Sequence, residues 1–216
     1  MLTARRPHLP EEWAREHGDR ACGWYGSVEG TPDADVRKSF ELNFFSVVEV
    51  LRAVLPGMRA RRSGWVVTMS SVAALGSPTG FGYYGASKAA VENLTGALRS
   101  EVEPLGIKVL AVEPGAFRTS AYAGFADEPI VETVDAYLPL IESVRALFVG
   151  RDGRQEGDPY RGVRAVVAAM DAENPPHRLV LGGQGYDTAV GTLQGMLTEL
   201  RAHEPASRGA DFPPGE

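Results

Sequence analysis

The chain has 216 residues, 44% of them apolar and 23% charged, which is enough to bury one core. Its net charge of −6 and pI of about 5.3 lack the basic footprint of a nucleic-acid or anionic-membrane partner. One cysteine, Cys22, excludes an internal disulfide, the four histidines are too scattered to share a metal, and no apolar run reaches membrane-spanning length or marks a signal peptide, so a soluble cytoplasmic protein is expected.

Residues 1–22 are charged and weakly periodic, and read as a poorly ordered arm. From Thr31 the signals sharpen. Thr31 as a cap, Pro32 at the first helical position, and Asp33 and Asp35 at the positive amino end predict a helix over 31–60. Phe40, Phe44, Val47, Leu51, Val54, Leu55 and Met58 form its apolar stripe. The basic run "RARRSG" falls where that helix ends and complements its dipole. "WVVTMSS" (65–71) is apolar and β-branched, which predicts a strand covered on both faces. A helix follows over 84–106, its stripe carried by Ala90, Leu94, Ala97 and Leu98. "IKVLAVEPG" (107–115) and "HRLVLGG" (177–183) are two further strands, with helices expected at 131–148, 160–170 and 188–203 and a tail at 206–216. Strands alternating with helices predict an α/β fold with a parallel sheet and right-handed crossovers.

Tyr84 and Lys88 are four apart, so on a helix they share one face about 5–6 Å apart at Cβ. The pair also occurs on ordinary helices, but a phenol beside an ammonium and a helix amino end is pushed toward phenolate. Ser70 and Ser71 close the first strand, and Pro114 and Gly115 the second. Ligands of open α/β sheets bind outside these carboxyl ends. Side-chain alternation allows only one of Ser70 and Ser71 to face the helix bearing Tyr84. Asn43 falls inside the apolar stripe, where an amide without partners costs about 1–3 kcal/mol. It is either a structural amide between two elements or a link in a proton relay.

Together Asn43, "TMSSVAALGSPTGFGYYGASK" and "VEPGAFRT" resemble the short-chain dehydrogenase/reductase family: a serine, Tyr-x-x-x-Lys thirteen positions on, and Pro-Gly-x-x-x-Thr after the next strand. The resemblance runs from about Gly23 onward and implies a truncated Rossmann-like doubly wound parallel sheet, with residues 23–205 as the catalytic half. It implies that Ser71 holds the substrate oxygen, Tyr84 is the acid or base, Lys88 lowers the tyrosine's pKa and binds the nicotinamide ribose, and Asn43 orders a water relay. Pro114, Gly115 and Thr119 would border the nicotinamide of NAD or NADP. The family's glycine-rich first turn has no counterpart, so weak dinucleotide binding is expected of this chain. "LVLGGQGYDTAV" imitates such a turn but lacks the third glycine and a following strand. The substrate class implied is an alcohol or ketone, and the aromatics Phe117, Tyr122, Phe125, Tyr137 and Phe148 suit a lipophilic one. A non-enzymatic interaction module is the alternative reading. A homo-oligomer is expected in either case, because the edge of "WVVTMSS" would be left unpaired.

Overall fold

A computed structural model describes residues 25–76, 78–127 and 129–212. The expected arm at 1–22, with Cys22, His8 and His17, lies outside the described residues. The chain enters helix α1 (Asp33–Phe40), passes through a π-helical turn (Glu41–Phe45) and continues as α2 (Ser46–Arg61). β1 (Gly64–Met69) follows, then α3 (Gly82–Val102) and β2 (Ile107–Pro114). Beyond β2 come α4 (Gly124–Asp127), α5 (Leu138–Gly150), α6 (Pro159–Met170), β3 (Arg178–Leu181), α7 (Gly183–Ala202) and α8 (Glu204–Arg208).

The sheet has the order β1-β2-β3, all parallel, with Gly64 opposite Ile107 and Ala111 opposite Arg178. β2 is central, and Ile107, Val109, Leu110, Ala111, Val112 and Glu113 are all buried in it. That run does not alternate because helices cover both faces. On one face Val66 of β1 and Ile107 and Val109 of β2 pack with Leu51 of α2 and Leu98 and Val102 of α3. On the other, Trp65, Val67, Leu110 and Val112 meet Val166, Ala169 and Met170 of α6. Trp65 and Val66 therefore point oppositely, as successive strand residues must. Each such side chain contributes about 1.5–3 kcal/mol on burial. This is the Rossmann-like α/β layering expected.

Several boundaries differ. Thr31 does not cap α1: its hydroxyl donates to the Ser27 carbonyl at 2.6 Å, and Pro32 is the cap residue. The expected single helix is broken by the π turn, which contains Asn43. β1 stops at Met69, so Ser70 and Ser71 lie past the strand. The helix expected at 131–148 begins only at Leu138, because Pro139 has no N–H and suits a first helical turn rather than an interior. The last long helix begins at Gly183, five residues early, and the tail opens with α8. Gly185 explains the misleading glycine pattern: a Cβ there would come within 3.0 Å of Gly115 Cα, so the glycine serves close packing of α7 on the end of β2.

Candidate active site

The carboxyl ends of β1 and β2 open onto a cleft of about 840 Å³. Five of the residues singled out in the sequence line it: Ser71, Tyr84, Pro114, Gly115 and Thr119. Ser71 is extended (φ −163°) and caps a short 3-10 turn, its Oγ accepting the Ala73 amide at 3.2 Å. That bond orients the hydroxyl while leaving its own proton free to be donated. Tyr84, in the first turn of α3, lines the same cleft, and the Ser71 side chain acts on its phenol.

Lys88, one turn on, is not on the cleft wall. Its Nζ donates to the Met69 carbonyl at 3.1 Å and lies 5.8 Å from the centre of the Tyr84 ring. Ser70 Oγ donates to the Lys88 carbonyl at 3.3 Å. Both serines thus reach α3, against the expectation that only one would. Strand alternation no longer applies once the chain has left β1. Asn43 is buried, and its Nδ2 meets Ser39 Oγ at 3.5 Å. The polar partner expected for it exists, but its side chain makes no hydrogen bond to Lys88.

Burial governs the titration of the pair. It raises the Tyr84 phenol above its usual value, with the Ser71 side chain acting in the opposite direction. It brings the Lys88 ammonium down to about 8. The lowering of the phenol expected from Lys88 does not appear in this structure: burial raises it, and the downward pull comes from the Ser71 side chain.

The rest of the cleft is mostly apolar. Phe125 stacks on Phe148 at 5.1 Å, and Phe148 also meets Phe81 at 4.8 Å and Tyr122 at 4.9 Å. Of the aromatics named from the sequence, Phe117, Tyr122, Phe125 and Phe148 line the cleft. Tyr137 does not, and its hydroxyl donates to Glu29 at 2.9 Å. Sequence reading missed Phe81, Arg151, Gln184 and Thr188, whose approach depends on loops and helix ends with no local signature.

It also missed a second polar cluster. Glu113, wholly buried in β2 just before Pro114, contacts Arg178 Nε at 2.7 Å, an ionic contact without hydrogen-bond alignment. Arg178 Nη2 donates to Glu92 of α3 at 3.2 Å. Burial foremost, then the neighbouring Glu92 charge, lift Glu113 to about 7 against the pull of Arg178. A glutamate inside the apolar run "VLAVEPG" was the available signal.

A parallel sheet helix-covered on both faces, with a cleft at its strand ends, defines a Rossmann-like α/β protein. The family model described as short chain dehydrogenase matches residues 21–129, half of the chain. The chain is 32% identical over 165 residues to a 3-ketodihydrosphingosine reductase of Bacteroides thetaiotaomicron, covering 73% of itself and 58% of that protein. It is 40% identical to a short-chain dehydrogenase of known structure from Streptomyces avermitilis, with a TM-score of 0.75 over 87% of this chain and 67% of that one. A Burkholderia cenocepacia short chain dehydrogenase solved in complex with NADP shares the fold at 21% identity, with a TM-score of 0.59 over 84% of this chain and 65% of that one. This chain belongs to the short-chain dehydrogenase family, and it spans little more than half the length of the reductase it matches.

Proposed function

We propose that residues 23–205 carry the catalytic half of an NAD- or NADP-dependent oxidoreductase acting on a hydroxyl or carbonyl of a lipophilic substrate. The observation that supports this most is that Ser71 and Tyr84 share the wall of a mostly apolar cleft, with Ser71 acting on the Tyr84 phenol. A carbonyl gaining a hydride develops negative charge on oxygen. The Tyr84 hydroxyl donates its proton to that oxygen while Ser71 donates a hydrogen bond, and in the opposite direction the phenolate takes the proton back. A phenol held protonated by burial suits the reducing direction.

The residues present fit the nicotinamide end of a dinucleotide. Pro114 and Gly115 offer a flat backbone edge where Gly115 packs on Gly185 with no side chain between them. Thr119 offers a hydroxyl, and Lys88 and Tyr84 offer donors to a ribose diol. When bound, the nicotinamide supplies or accepts the hydride. In this reading Asn43 and the π turn order water that returns protons through Lys88, consistent with the frequent placement of π turns at functional sites. We extend the reading to a cytoplasmic homo-oligomer: no described strand pairs with the outer edge of β1, and Met69 on it is 46% exposed. Among the described residues no helix is long and apolar enough to cross a membrane.

The test is turnover by the purified chain with NAD or NADP and straight-chain alcohols of increasing length. Turnover should rise with chain length, and Tyr84→Phe should lower it roughly 10²–10⁴-fold with the melting curve unchanged. Undiminished turnover in Tyr84→Phe would overturn the assignment.

A further inference from the structure

Among the described residues lining the cleft, Arg151 alone is charged. It follows α5 directly, beyond the apolar wall residues Leu147 and Phe148, and its amide is satisfied by the Phe148 carbonyl at 3.1 Å. Its guanidinium, by contrast, forms no ion pair or hydrogen bond among the described residues. Two arginines of the same region are spent on structure. Arg145 donates to the carbonyls of Phe125 and Ala126, and Arg118 donates twice to the carbonyl of Gln155. Arg151 is also electrostatically coupled to the Tyr122 phenol, which is coupled in turn to Tyr84. One wall therefore runs from the candidate proton donor, past the rings of Tyr122 and Phe148, to an uncommitted fork of N–H donors.

We infer that the cleft takes an amphiphile with an anionic end: a lipophilic hydroxy or oxo acid whose carboxylate pairs with Arg151 while its hydroxyl or carbonyl lies at Ser71 and Tyr84. This rests on the proposed reading of the cleft and adds the substrate's charge. The planar guanidinium matches a carboxylate in two parallel hydrogen bonds. Arg151 is exposed, so the attraction is modest and salt-sensitive, and its charge repels a cationic head group. Arg151 is thus a specificity-determining residue outside the proton-transfer chemistry.

Calorimetric titration of the 216-residue chain with octanoate and with 1-octanol separates the two ideas without turnover. The Arg151→Gln variant should bind octanoate about fivefold more weakly than the wild type at low salt and bind 1-octanol equally well. Arg151→Lys should recover part of the loss, and raised salt should erase the difference between wild type and Arg151→Gln. An octanoate-to-octanol ratio that Arg151→Gln leaves unchanged overturns the inference alone. Failure of the wild type to bind either ligand overturns the lipophilic cleft and the inference together.

Discussion

Tyr84 and Lys88 stand at the amino end of α3 with Ser71 beside them, and one turn further along the same helix Glu92 meets Arg178 of β3, which also holds Glu113 of β2. The first cluster opens on a cleft, and the second is closed over by the sheet. Burial disfavours the charged form in both, raising the Tyr84 phenol and the Glu113 carboxyl and lowering the Lys88 ammonium. What differs is who satisfies the polar atoms. Around Glu113 a single arginine serves two carboxylates, so removing that arginine leaves two carboxylates facing each other without a counter-charge. In the first cluster the Lys88 ammonium is held by the Met69 carbonyl, and Ser71 and Tyr84 line the cleft itself. The contrast separates a cluster that holds the sheet to the helix from one able to meet a ligand.

The largest effect expected from breaking this arrangement is that of Arg178→Met. It strands Glu92 and Glu113 against each other and should cost about 2–3 kcal/mol in urea unfolding, below the range for a fully buried pair because Arg178 is itself 43% exposed. A loss under about 0.5 kcal/mol would show that the cluster is solvated after all.

Glu113→Gln sharpens the comparison through pH. With its folded pKa raised to about 7, Glu113 keeps a proton that the unfolded chain gives up from about 4.5. The folded state then binds more protons, so wild-type stability falls as pH rises through this window, on the order of 2 kcal/mol. The variant should lose that slope, and identical pH profiles for the two proteins would contradict the assignment.

Lys88→Met tests the open cluster with the opposite sign. Its folded value of about 8 lies below the unfolded value of about 10.5, so between them the unfolded chain binds more protons and wild-type stability should rise with pH. The gain is smaller, on the order of 1 kcal/mol, because the ammonium keeps its bond to the Met69 carbonyl in the folded state. Thermal melts between pH 8 and 10.5 should show the rise in wild type and its absence in the variant. A rise that survives the substitution would place the titration elsewhere.

Much of this was legible in the residues themselves. Apolar β-branched runs announced the three strands, because a strand covered on both faces has no polar side to show. The spacing of Ser71, Tyr84 and Lys88 announced the candidate site, because one helical turn fixes how far apart Tyr84 and Lys88 stand. Pro139 was a helix-start signal that the longer apolar pattern overrode, and Pro32 stands at the cap position while the Thr31 hydroxyl donates back to the Ser27 carbonyl.

Pairings between distant segments were beyond sequence reading. No local pattern says that Arg178 will reach both Glu92 and Glu113, that Gly185 will lie against Gly115, or that Arg151 will end up on the wall that carries Tyr84. The sequence by itself determined the parallel α/β layering and the Ser71–Tyr84–Lys88 spacing, since both follow from side-chain periodicity along one segment. Only the tertiary structure decided the sign of the Tyr84 shift, because desolvation depends on how much of the rest of the chain packs around the phenol, and that is a property of no single segment.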